Sequence, residues 1–241
     1  MKFIFFPRQT LIRIFSSFLL LVIASLLLAT GLYRKAQGPL ENLTVLIDPG
    51  HGGVDGGTAD HTGILEKEIN LAIALALRDQ LKQSGLRVVM TRETDTDLSP
   101  FISGRIDRHR RDLLARVQKA RQANSLCLIS IHCDWSEARH KQGTVVFYNY
   151  LSAPSKELAL SIQEEVNKVQ KKPQKAVPGR YFIIRQKGLT GVLIEVGFLS
   201  NTEDAALLKS PEYQETLALA ISKGILKYCR QLIPSPSLHQ H

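Results

Sequence analysis

Cysteine is scarce: Cys127, Cys133 and Cys229 are the only three in 241 residues, too few and too scattered for a disulfide framework. With residues 126 to 132 as a strand, Cys127 and Cys133 stand about 20 Å apart by strand rise, beyond the ~7 Å Cα separation that a bridge allows. All three read as packing residues. Cys133 follows His132 on that strand, so its side chain is expected to face away from whatever the histidine serves. Acidic residues are missing from the first forty positions, which carry Lys2, Arg8, Arg13, Arg34 and Lys35. Of the formal net charge of +9, these five account for more than half, leaving 26 basic against 22 acidic residues in the remainder. So small an excess excludes a dedicated nucleic-acid-binding surface. Internal repeats and low-complexity tracts are absent, and so is an HExxH helix; any metal site has to be gathered from scattered residues.

Charge is also absent from Phe15 to Tyr33, FSSFLLLVIASLLLATGLY, a run about long enough to span a bilayer core as a helix. Ala29-Thr30-Gly31 offers small residues to a signal peptidase, but the run is long for a removable signal and ends on Arg34-Lys35. Residues 1–40 therefore read as an uncleaved membrane anchor and linker, with the following domain outside the cytoplasm. Two stretches concentrate positive charge. Arg105 to Arg121 holds seven basic residues, and Lys168 to Lys187 holds seven with no acid among them. Such runs are usually solvated faces; attraction to a polyanionic surface is the alternative.

Beyond the linker, strand-like and helix-like segments alternate. LTVLID (43–48), LRVVMT (86–91), LCLISIH (126–132), GTVVFYN (143–149), RYFIIR (180–185) and GVLIEV (191–196) are short, apolar and β-branched. Between them, Glu66 to Gln83 repeats apolar residues at Ile69, Ala72, Ile73, Ala76 and Leu77, and Leu113 to Ala123, Ser155 to Val169 and Pro211 to Leu232 follow the same helical period. This alternation predicts an α/β domain over 41–232, one sheet of about six strands with helices on both faces. Glu93 to Arg111 reads as a long surface loop, and 233–241 as a frayed tail.

The stretch LTVLIDPGHGGVDGGT sets His51 in a loop with glycine at positions 50, 52, 53, 56 and 57. Glycine allows close approach of other groups. In open α/β sheets ligands bind beyond the carboxyl ends of strands, where His51, His132 and Glu195 all fall, while Glu66 opens the helix after the glycine loop. Two imidazoles and a carboxylate make a zinc set that leaves a fourth position open, and a further carboxylate can act as base. Each has a plainer reading: Glu66 as a carboxylate at a helix N-terminus, His132 as a satisfied strand-end histidine. That reading is weakest for Glu195, since a carboxylate inside VLIEV is costly to bury without a partner or a task. Glu68, His61, His109 and His140 read as surface residues.

The segments IDPGHGGVDGG, LEKEINLAIAL, LISIH and LIEVGFLSN, in that order, closely resemble the zinc-dependent N-acetylmuramoyl-L-alanine amidases, which cleave peptidoglycan. MTRETDTDLS and RRDLLARVQKARQAN are most similar to spore-cortex, germination-associated members. The resemblance covers essentially all of 43–232. It implies a twisted, mixed sheet, zinc ligation by His51, Glu66 and His132, and Glu195 as the catalytic carboxylate. It also implies hydrolysis of the amide between N-acetylmuramic acid and L-alanine during cortex maturation. One departure stands out: the family usually has Asn two residues after the second histidine, where this chain has Asp134. A zinc peptidase acting on stem peptides and a catalytically idle wall-binding module are the rival readings. The implied partners are peptidoglycan, the membrane through the N-terminal segment and an accessory protein still to be identified; no nucleic acid is among them. Location in the cell envelope or the forespore intermembrane space follows.

Overall fold

The computed structural model describes residues 8–37, 40–99 and 107–233. The chain divides into two units, Met1–Pro39 and Leu40–His241. The first contains helix α1 (Arg8–Gln37), whose side chains from Ile14 to Leu28 include many exposed apolar groups, Phe15 and Leu21 each at 69%. Among the described residues, no helix is long and apolar enough to cross a membrane. The expected span from Phe15 to Tyr33 lies within α1, but its side chains from residue 29 onward fall outside those described.

The second unit is built on six strands: β1 (Thr44–Pro49), β2 (Arg87–Met90), β3 (Cys127–Asp134), β4 (Val145–Tyr148), β5 (Val177–Pro178) and β6 (Gly191–Phe198). Their order is β2-β1-β3-β6-β4-β5. The first four of these are mutually parallel, and β4 runs antiparallel to β6. The sheet is thus mixed, as expected. β1 and β6 are buried along their whole length, which fits their unbroken apolar runs: central parallel strands are covered on both faces.

Helices α2 (Glu66–Gln83), α4 (Ala153–Val166) and α6 (Pro211–Leu232) pack on one face. Their apolar stripes, including Ile73, Leu77, Leu158, Ile162, Ile221 and Ile225, join Val45, Ile47, Ile129, Ile131 and Ile194 of the sheet in one core. The opposite face carries α3 (Arg108–Gln122) and a 3-10 turn (Ile183–Arg185) over a smaller cluster of Leu46, Val117, Leu128, Ile183, Ile184 and Leu193. The three cysteines are buried and unpaired.

Differences from the sequence reading are local. RYFIIR does not form a strand. The edge pairing is confined to Phe147 with Val177 and Tyr148 with Pro178; proline has no N–H to extend a ladder, and Ile183 and Ile184 instead bury in the turn against the sheet face. Helix α3 starts at Arg108, inside the expected loop, of which residues 100–106 lie outside the described residues. A short helix, α5 (Thr202–Leu208), had no counterpart in the sequence reading; Asn201 Oδ1 caps it, accepting from Glu203 N and Asp204 N at 3.0 and 3.1 Å. From the expected tail, 234–241 lies outside the described residues.

Candidate metal centre and active site

Strand β1 ends at Pro49, and the chain turns over the carboxyl edge of the sheet. Gly50 N still donates to Ile131 O of β3 at 2.9 Å, but His51 adopts a φ of +59°, a left-handed conformation uncommon for a residue with a side chain. The glycine beside it is a matter of space. A Cβ on Gly50 would stand 2.2 Å from His132 Cε1, and one on Gly57 would stand 2.5 Å from Glu66 Oε2 and 2.8 Å from His51 Cδ2. The loop can close around these side chains only without Cβ atoms there.

The same loop caps α2. Glu66 N and Lys67 N donate to Thr58 O and Gly56 O at 2.8 and 3.2 Å, replacing the side-chain cap that Leu65 cannot provide. The Glu66 side chain is thereby aimed at both histidines: its Oε1 lies 3.2 Å from His51 Nε2 and 3.0 Å from His132 Nδ1. Thr58 N donates to Oε2 at 3.0 Å, while Asn70 Nδ2 and Cys133 N donate to Oε1 at 3.2 and 3.0 Å. One donor atom from each of His51, Glu66 and His132 falls within a 4.8 Å group, and the two imidazoles meet edge-on with centroids 5.0 Å apart. Burial works against ionisation of Glu66, yet His132 and His51 hold its carboxyl well below the usual range. Burial likewise disfavours protonated His51, and the carboxylates of Glu66 and Asp55 outweigh it and raise its pKa.

This donor set fits a divalent cation. Two nitrogens and a carboxylate converge, the two imidazoles keep Glu66 anionic, and His51 Nδ1 lies 3.0 Å from Asp55 Oδ1, the carboxylate contact that fixes a ligating imidazole's tautomer. Asp55 was not anticipated; its signal was its place four residues beyond His51 in a loop that folds back on itself.

Glu195 pairs in register with His132 across β3 and β6, so both side chains share a sheet face. It is 6% exposed, and its Oε2 has no hydrogen-bond partner among the described residues. Burial, with Asp134 and Glu66 adding, pushes its carboxyl well above the usual range. A positive ion among the three donors would offset that penalty. Asp134 is half-buried at a break in the β3–β6 register and accepts from Trp135 N at 2.7 Å. Tyr181, stacked edge-on against Phe147 at 5.1 Å, has its hydroxyl pushed up to about 12 by burial and by Glu195 and Asp134. Cys133 turns its sulfur to Asn70 Oδ1 at 3.5 Å, while its backbone N–H serves Glu66. Glu68, His61, His109 and His140 are exposed.

One part of the basic stretch from Arg105 to Arg121 is not a solvated face. Arg116 is 2% exposed and pairs with Asp48 Oδ1 at 2.7 Å and Asp112 Oδ2 at 2.6 Å. Asp48 is buried as well; burial opposes its ionisation, and Arg116, Thr91 and Ser130 hold its pKa low.

The family model described as N-acetylmuramoyl-L-alanine amidase matches residues 45–227. The chain belongs to that family. This amidase is 38% identical over 193 residues to the germination-specific N-acetylmuramoyl-L-alanine amidase of Bacillus subtilis, a match covering 79% of this chain and 81% of the relative. Among solved structures, it resembles the CwlD amidase of Clostridioides difficile, solved in complex with the GerS lipoprotein. That match has a TM-score of 0.75 and 36% identity, and covers 79% of this chain and all of the other. An N-acetylmuramoyl-L-alanine amidase from Clostridium difficile 630 superposes with a TM-score of 0.69 at 32% identity, covering 79% of this amidase and 98% of the other chain.

Proposed function

We propose that this amidase hydrolyses the amide between the lactyl group of N-acetylmuramic acid and L-alanine in cortex-type peptidoglycan, with zinc held by His51, Glu66 and His132 and Glu195 as the proton carrier. The observation that carries this reading is the convergence of Glu66 Oε1 on both imidazoles beside a buried carboxylate oxygen without a partner. When bound, zinc supplies the Lewis acidity that an unactivated amide requires. Glu195 Oε2 then takes a proton from the attacking water and delivers it to the departing amine as the C–N bond breaks, so no covalent intermediate forms. The cortex assignment rests on likeness to the germination-specific relative. The uncharged run from Phe15 to Tyr33 and the exposed apolar side chains of α1 support an anchor that holds the catalytic unit on the outer side of the membrane. The lipoprotein complex of the similar C. difficile enzyme supports a lipoprotein as the accessory partner.

Digestion of purified cortex-type muropeptides, with products identified by mass, tests the chemistry. Release of intact stem peptides beginning with L-alanine, abolished by chelation and restored by zinc, is the expected result. Shortened stems still attached to muramic acid would make the protein a peptidase, and no product in the zinc-loaded state would leave a wall-binding module.

A further inference from the structure

Two arginines, 24 positions apart in sequence, meet beneath the loop that carries His51, and neither serves the chemistry directly. Arg92 is 3% exposed. Its Nε donates to Pro49 O at 3.1 Å, and its Nη2 donates to Gly50 O and Lys67 O, both at 2.9 Å; Nη1 reaches Thr94 O at 3.2 Å. Arg116 donates through Nη1 to Pro49 O at 2.8 Å and through Nη2 to His51 O at 2.7 Å. Three successive carbonyls of the loop, at 49, 50 and 51, are therefore held by guanidinium groups.

The two arginines differ in how their charge is compensated. Arg116 has Asp48 and Asp112, whereas the hydrogen-bond acceptors of Arg92 among the described residues are all backbone carbonyls. Burial and the neighbouring Arg116 bring the Arg92 pKa down to about 10, so it remains charged at neutral pH. Burying a cation that no carboxylate hydrogen-bonds is costly even with Asp48, Asp95 and Asp112 near enough to favour its charge, and a generic core position would be filled by an apolar side chain. What Arg92 gains is reach. A planar fork with five N–H groups in fixed directions can hold several carbonyls at once. One of these, Lys67 O, belongs to the first turn of α2, the turn that presents Glu66; Pro49 O and Gly50 O belong to the approach to His51, and Thr94 O to the segment that follows Arg92 itself. Arg92 also occupies the space left by Gly52, where a Cβ would stand 2.9 Å from its Cδ and Nε. The loop is wrapped around the guanidinium.

From this geometry we infer that Arg92 is a positioning residue for the metal centre: it fixes the spacing between the His51 loop and the Glu66 turn, so that the donor triad is assembled before metal arrives, with Arg116 holding His51 in its left-handed conformation. The inference rests on the metal reading above. Losing a positioning partner of a metal ligand typically costs about 10- to 100-fold in metal affinity. Lysine keeps the charge but offers one ammonium in place of the fork, so it does not restore the spacing.

The test uses the full-length chain in detergent, as the parent and as Arg92→Gln, Arg92→Lys and Val166→Ala. Val166 is fully buried in the α4 packing, and its variant controls for general loss of stability. Zinc affinity by chelator competition, the visible spectrum of the cobalt-substituted protein and the melting temperature of the metal-free protein are read for each. Both Arg92 variants are expected to bind zinc about 10- to 100-fold more weakly, with altered cobalt bands, while Val166→Ala melts lower but keeps the parental affinity and spectrum. Parental affinity and cobalt bands in either folded Arg92 variant overturn the inference, as does a fall in affinity matched by Val166→Ala. If Arg92→Gln does not fold, the lysine variant carries the decision by the same criteria. A parent that binds neither metal removes the metal reading itself, an outcome distinct from failure of the positioning role.

Discussion

Glu195 and Glu66 show how two carboxylates of the same chemical type are driven in opposite directions. Glu66 receives three N–H donors and two imidazoles, every one of which favours the anion. Glu195 has an oxygen with no donor among the described residues and other carboxylates nearby, which favours the protonated form. That separation supports the proposed division of labour, the first as metal ligand and the second as proton carrier. Glu195→Gln keeps the volume and removes the proton acceptor, so turnover on muropeptide should fall on the order of 100- to 10,000-fold while bound zinc stays at the parental level. Glu68→Gln, on the exposed side of α2, should leave both unchanged and shift stability by less than about 0.5 kcal/mol. Assaying peptide release and zinc content side by side checks the pair. Near-normal turnover in Glu195→Gln would move the base to another carboxylate, with Asp134 first in line.

At the scale of elements, the position of α2 depends on the helices stacked against it. α6 packs on both α2 and α4, and its approach to α4 is set by Gly224, where a Cβ would stand 2.4 Å from Ile162 Cα and 2.8 Å from Ser161 O. Those are backbone atoms, so no side-chain rotation relieves the clash. Gly224→Ala would therefore gain helix propensity of about 1 kcal/mol and lose more through forced separation of the two helices, since overpacking costs roughly 1–3 kcal/mol and occasionally more. The expected result is a net fall in melting temperature of a few degrees, at about 2–4 °C per kcal/mol for a domain of this size, measured by calorimetry. A variant as stable as the parent would mean that α4 and α6 shift apart freely.

For the whole molecule, the question is what keeps the catalytic unit at its substrate. The basic segment 168–187 is partly engaged within the protein: Lys168 contacts Glu165 and Lys171 contacts Glu203. Retention through α1 makes a prediction that charge attraction does not share. Apolar insertion is not screened by salt, whereas electrostatic adhesion weakens as the Debye length falls to about 3 Å at 1 M salt. Membranes from expressing cells, washed in 1 M salt, should keep the protein with its first residues intact by mass, and detergent should release it. A product beginning near Leu32 and freely soluble would show that the apolar run is a removed signal.

The sequence by itself determined what depends on neighbours a few positions away. The 3.6-residue period delimited α2 and α6 at their observed ends, alternating strands and helices gave the layered sheet, and the chemistry of His51, Glu66, His132 and Glu195 at strand and helix ends pointed to one edge of it. Tertiary structure decided what depends on distant partners. Arg116 looked like one more charge in a basic stretch because Asp48, which pairs with it, lies 68 positions away. RYFIIR has the composition of a strand, yet burial of Ile183 and Ile184 against the sheet face made it a turn. Gly50 and Gly57 suggested a pliable loop; the structure makes them the two places where side chains from β3 and α2 come too close for any Cβ. Local periodicity is written along the chain, whereas the environment of a charge or a missing Cβ is written only by what the fold brings against it.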